Sequence, residues 1–224
     1  MPDLSFEIRT VEACARSITP LLQFKLTITN SPENELIQAV LLSAQIQIQS
    51  LQRAYNASEK EKLVELFGPP EGWGNTLRNK LWGHANATVS AFRGQTEALL
   101  PVPCTCDLNV AATKYFYGLE GAEVSLLFLF NGSVFYETAE GRLQVSPISW
   151  NKECVFRMGA AVWRDLIERH YPGQQWLALG REAFERLYAW KRQQGIVSWD
   201  ETIEKLVPDQ TPQVTRERGE EVIA

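Results

Sequence analysis

The sequence predicts an α+β protein: an antiparallel β-sandwich of about seven or eight strands, with a helical insertion and a C-terminal helical cap. Three observations carry that expectation. Through residue 48, and again from residue 85 to residue 145, short stretches alternate apolar and polar residues with period two. The run Val124 to Phe130 is apolar on both faces except at Ser125, as a strand covered on both sides reads. After Trp150 the apolar residues fall at helical spacing instead.

Taken in order, Leu4, Phe6 and Ile8 alternate with Ser5 and Glu7 to give a first strand. Leu22, Phe24, Leu26 and Ile28 give a second, closed by the turn Asn30-Ser31-Pro32-Glu33-Asn34. Val40, Leu42, Ala44, Ile46 and Ile48 give a third, whose other face carries Ser43 and the uncharged row Gln45, Gln47 and Gln49. At Ser58 the period changes: Ser58-Glu59-Lys60-Glu61 reads as a capping box, Leu63, Val64, Leu66 and Phe67 as one helix face, and Gly68 as its stop. Alternation returns at 85–91 and at Leu99, Leu100 and Val102, where Pro101 and Pro103 exclude a central strand. Cys106, Leu108, Val110 and Ala112 read as a further strand, and Lys114 to Leu119 as a turn of helix. The central strand 124–130 then runs into a tight turn at Asn131-Gly132, followed by short strands at 134–136 and 143–145. Beyond Trp150, Ala161, Val162, Leu166 and Ile167 form a helical stripe. Phe184, Leu187, Tyr188 and Lys191 form a second, stopped by Gly195. Ser198-Trp199-Asp200-Glu201 caps a last short helix. The expected organisation is a sandwich over 4–158 with its insertion at 58–82, a helical cap packed on it over 159–206, and a disordered tail over 208–224.

Composition narrows function more than it names it. The chain has 224 residues, 45% of them apolar, and a net charge of −5. It lacks the concentrated basic footprint of a nucleic-acid binder. Its longest apolar runs fall far short of the ~20 residues a membrane helix needs. The opening Met1-Pro2-Asp3-Leu4-Ser5-Phe6-Glu7 lacks the layout of a signal peptide, so the expected compartment is the cytoplasm. Cys14, Cys104, Cys106 and Cys154 are expected as free thiols there.

The sharpest chemical motif is Cys104-Thr105-Cys106. Two thiolates so spaced can share zinc or another thiophilic metal, with Cys14 or Cys154 completing the site. The paired C-x-x-C knuckles of a structural zinc site are missing, however, and Cys106 falls in register with apolar Leu108 and Val110, where an inert buried cysteine belongs. No Gly-x-Ser-x-Gly and no glycine-rich phosphate loop occurs. His84 and His170 have no evident nucleophile beside them in the sequence. Arg157, Arg164, Arg169 and Arg181 are interleaved with Asp165, Glu168 and Glu182, as ion pairs rather than an anion site would be. All seven tryptophans follow residue 72, and four of them, Trp163, Trp176, Trp190 and Trp199, lie in the helical segment. Tryptophan serves cores and contact hot spots equally well, and these four are the expected partner-binding residues.

The segments Leu100-Pro101-Val102-Pro103-Cys104-Thr105, Val110-Ala111-Ala112-Thr113-Lys114-Tyr115 and Leu126-Leu127-Phe128-Leu129-Phe130 with Gly132 resemble those of a bacterial domain family of unknown function. So do Leu66-Phe67-Gly68, Trp73-Gly74, Leu81-Trp82 and Ala161-Val162-Trp163-Arg164-Asp165-Leu166, and the similarity runs from about residue 4 to 206. Cys106 departs from the family pattern, which weighs against a shared two-cysteine site. The resemblance brings no catalytic residues. It implies an accessory or assembly role, because genes of that family often lie near those of an uptake nickel–iron hydrogenase. The combined expectation is a non-catalytic cytoplasmic accessory protein, without a cofactor, that binds another protein, possible hydrogenase assembly being its setting. The alternative is a metal- or redox-active protein using Cys104 and Cys106, and an enzyme of unrecognised type stands third.

Overall fold

Alternation becomes strand wherever one face can be buried, and eight strands form among the residues described by the computed structural model, namely 2–105, 110–121, 123–138 and 140–207. Strands β1 (Asp3–Ala13), β2 (Leu21–Ser31) and β5 (Gln95–Pro103) make one antiparallel sheet in the order β1-β2-β5. Pro101 and Pro103 thus sit on an edge strand, where a missing N–H costs no ladder bond. Strands β3 (Ile37–Ile48), β4 (Lys80–Val89), β6 (Glu123–Glu137), β7 (Leu143–Pro147) and β8 (Glu153–Gly159) make the second, in the order β4-β3-β6, with β7 and β8 both on β6. The inner faces meet as a sandwich. Phe24 of β2 is 5.1 Å from the Phe128 ring and 6.0 Å from Phe156, and Phe6 stacks on Phe130 at 4.5 Å.

Strand β6 is central, as expected, but longer. Its first half pairs with β8 over 123–129 and its second with β7 over 133–137. Asn131 and Gly132 are no hairpin turn: they lie inside β6, opposite Ser43 and Leu42. The register with β3 continues through them. Gly132 is needed there for another reason, since its φ is +141° and a Cβ would stand 2.0 Å from the Leu41 carbonyl oxygen. Strand β8 had no counterpart in the sequence reading, although Cys154, Phe156 and Met158 alternate inward.

Two local expectations shift. Helix α1 (Ala57–Phe67) is capped by Asn56 and Glu59 rather than by Ser58 and Glu61. The Asn56 side chain accepts from the Glu59 N–H at 2.8 Å, and the Glu59 carboxylate accepts from the Asn56 N–H at 3.1 Å. Glu59 is buried and also accepts from Arg53 at 2.5 Å and from the Glu120 N–H at 2.9 Å, which sets the start of the helix. Ser58 instead donates to Glu120 at 2.6 Å. The second shift concerns Val110 and Ala112, which belong to a helix, α3 in chain order (Val110–Gly118), rather than a strand. Ala112, Tyr115 and Phe116 bury one helical face, a gain a strand of those residues would forfeit. The short α2 (Trp73–Thr76) lies within the expected insertion.

The chain divides into two compact units, 1–174 and 175–224. Helix α4 (Ala160–His170) lies in the first, touching β1, β2, β8 and α3. Helices α5 (Arg181–Gln193) and α6 (Trp199–Leu206) lie in the second. The expected tail at 208–224 falls outside the described residues. No helix among the described residues is long and apolar enough to cross a membrane.

Candidate functional site

Helix α5 opens at Gly180 and presents Phe184, Leu187, Tyr188 and Lys191 on one face by their spacing of three and four residues. Helix α6 begins at Ser198, whose hydroxyl accepts from the Glu201 N–H at 3.0 Å, the cap that the sequence marked. Between the helices, the Lys191 ammonium donates to the Ile196 and Val197 carbonyls at 2.9 and 2.6 Å. It also lies 5.2 Å from the Trp199 ring centroid. A lysine at a helix C-terminus that satisfies loop carbonyls and faces a ring holds the connection and the tryptophan together.

The result is an aromatic cluster of Phe184, Tyr188 and Trp199. Phe184 stacks on Tyr188 at 6.0 Å, and Trp199 lies 5.7 Å from Phe184 and 6.1 Å from Tyr188. These rings remain 45%, 46% and 39% exposed. Beside them runs a groove of about 590 Å³ walled by Leu177, Leu179, Phe184, Leu187, Trp199 and Ile203, with Gln175 and Asp200 as polar members. Its lining includes no nucleophile and no pair of acid–base groups. What it offers is apolar surface with ring faces, which suits contact with another apolar surface.

The structure sorts the four tryptophans. Trp163 is 1% exposed, stacked on Phe116 at 4.9 Å within the first unit, so it is core and has no surface to give a partner. Trp176 is exposed ahead of α5, Trp190 is half-buried on α5, and Trp199 belongs to the groove. Phe184 and Tyr188, which complete the cluster, were readable as an i, i+4 aromatic pair but not as a site.

Of the cysteine motif, Cys104 is buried just after β5, its thiol 3.4 Å from the Val102 carbonyl oxygen to which it donates. Cys106 lies outside the described residues. Cys154 is pushed up to about 11, chiefly by burial, and stays a thiol at neutral pH. None of the three described cysteines is in a disulfide, and no group of three or more His, Cys, Asp or Glu among the described residues could hold a metal ion. The His170 ring nitrogens contact the Leu166 and Ser17 carbonyls at 2.9 and 3.3 Å, and His84 lies opposite Gln45 on β4.

The first unit holds one further polar cluster, beside α1. The Tyr55 hydroxyl donates to the Ser50 carbonyl at 2.7 Å and meets the Tyr115 hydroxyl at 3.0 Å. Burial raises both phenols above their ordinary range, so neither ionises near neutrality. With Arg53 held by Glu59, the cluster closes on itself and ties α1 to α3.

The model of a family of unknown function, DUF6084, matches residues 1–215. The chain belongs to that family. No curated protein matches this DUF6084 chain. Among solved structures it is similar to a protein named as a late embryogenesis abundant (LEA) protein, at 10% identity over 71% of each chain with a TM-score of 0.30. It is also similar to a protein named as ApaA from Bordetella pertussis, at 11% identity over 69% of this chain and 93% of that one, TM-score 0.25. A third is a β-glucosidase from Erythrobacter marinus, at 10% identity over 70% of this chain but only 15% of the enzyme, TM-score 0.28.

Proposed function

We propose that this DUF6084 protein is a non-catalytic accessory protein that binds another protein through the aromatic groove of α5 and α6. The observation that carries the reading is the exposure of the cluster Phe184, Tyr188 and Trp199, of which Phe184 and Trp199 line one apolar groove of about 590 Å³. Rings left open on a two-helix unit are surface that gains by being covered, and the fitting occupant is an apolar side of a partner, such as an amphipathic helix. The cytoplasm is the compartment this reading assumes. Hydrogenase assembly is its proposed setting, on the strength of the gene neighbourhood that the family resemblance implies.

The test is affinity purification of the tagged full-length protein from its native host, with metal analysis of the same eluate. A stoichiometric partner that is retained by wild type and lost with Trp199→Ala and Phe184→Ala is the expected result. One metal ion per chain without a partner, abolished by Cys104→Ser, would replace this reading with a metal or redox role for Cys104 and Cys106.

A further inference from the structure

The outer faces of the two sheets differ in charge. That of the three-stranded sheet carries ion pairs, Arg9 with Glu7 at 2.6 Å and Lys25 with Glu97 at 2.9 Å. Across the five-stranded sheet the outward rungs run Thr88–Leu41–Ser133–Pro147, Asn86–Ser43–Asn131, His84–Gln45–Leu129–Glu153 and Leu81–Gln47–Leu127–Val155. The members on β4, β3 and β6 include no Asp, Glu, Lys or Arg, and Glu153 on the edge strand β8 is the one charged residue of these rungs, in a chain that is 22% charged. Charge returns at the rim, at Glu137, Glu153 and Arg157. Leu41, Val145 and Val155 are 49%, 58% and 56% exposed, and Leu41, Ser43, Asn86 and Thr88 border a shallow depression of about 340 Å³. The uncharged glutamine row seen in the sequence is the middle of this face.

We propose that the outer face of the five-stranded sheet is a dimer interface occupied by a second copy of this chain, back to back. Three features select that occupant. Two copies at −5 each repel wherever carboxylates concentrate, and this face is where they can approach without that cost. The amides and hydroxyls of Gln45, Gln47, Ser43, Asn86 and Asn131 both donate and accept, so a two-fold axis lets identical rows satisfy one another. The size is also sufficient. Four strands abreast at ~4.8 Å spacing and about eleven residues at ~3.3 Å give about 700 Å² per copy, or about 1,400 Å² in all, within the range of stable interfaces.

The experiment is sedimentation equilibrium of the full-length protein up to about 100 μM, with circular dichroism of every variant. Wild type is expected to dimerise. Leu129→Lys should weaken the dimer by about 100-fold or more while keeping the wild-type spectrum. Asn131→Arg, at an exposed position, gives the same readout if Leu129→Lys fails to fold. Lys25→Glu on the other sheet and Trp199→Ala on α6 should leave the dimer intact, which separates this interface from the partner groove. A wild-type monomer at about 100 μM would overturn the proposal. So would a dimer that survives both outer-face charges, or one that Lys25→Glu or Trp199→Ala dissolves.

Discussion

Two aromatic clusters in this protein have similar chemistry and opposite fates. In the first unit, Trp82, Tyr115, Phe116 and Trp163 form a buried chain of rings, with Phe116 5.1 Å from Trp82 and 4.9 Å from Trp163. In the second, Phe184, Tyr188 and Trp199 touch each other at similar distances and stay open. The first cluster draws its rings from strand β4 and helices α3 and α4, the second from helices α5 and α6. What differs is the mass behind them. Helices α3 and α4 have strands and other helices against their apolar sides, whereas within the second unit α5 and α6, of 13 and 8 residues, can cover only one side of each ring. An aromatic stripe states that a surface gains by being covered and leaves open what covers it.

Four substitutions test that contrast. Trp163→Ala is expected to have the largest effect, lowering stability by about 3–5 kcal/mol in urea unfolding of the full chain, since it removes a fully buried indole. Gly132→Ala follows at about 2–4 kcal/mol, from a strained φ and a clash with the β3 backbone beneath the same core. Trp199→Ala should shift the unfolding midpoint little, because the ring is already partly in water and the lost cation–π contact is worth about 0.5–1 kcal/mol. Its effect should appear in partner recovery, falling by at least about 30-fold. Equal destabilisation by Trp163→Ala and Trp199→Ala would erase the distinction.

The smallest effect is at the surface. Glu120 accepts hydrogen bonds from Lys62, Ser58 and Asn56, which lower its pKa from 4.5 to about 2. A carboxylate depressed by folding stabilises the fold above its unfolded pKa, and that contribution is lost as pH falls from about 4.5 toward 2. Glu120→Gln should therefore lower stability slightly in the neutral region and flatten the acid limb of a stability-versus-pH curve, the variant and wild-type curves converging as pH falls toward 2. Because the side chain is exposed, screening by salt should shrink the difference further.

Much of the fold was legible in the chain. Strands β1 to β3 follow from strict alternation, α4 and α5 from their apolar stripes, and the start of α6 from Ser198 and Glu201. Other features were not, and the reasons are particular. Asn131-Gly132 is the residue pair of a tight turn, yet β3 offers it an unbroken ladder, and the ladder wins. Val110 and Ala112 alternate over too few residues to outweigh a helical face that buries Tyr115 and Phe116. Glu59 caps α1 because Arg53 and the Glu120 N–H converge on it from outside the helix, contacts no local pattern records. Trp163 carried the same signal as Trp199, and only its neighbours made it core.

Local periodicity was enough for the class of this protein, because a pleat repeats every two residues and a helix every 3.6 whatever lies beyond them. Run length, also a property of the chain, agrees with the finding that no helix among the described residues is long and apolar enough to cross a membrane. Which strands share a sheet, how β6 divides between β8 and β7, which tryptophan is hidden and which sheet face has an uncharged centre were settled by long-range packing. Those outcomes depend on what stands opposite each apolar face, and residues distant in sequence supply it.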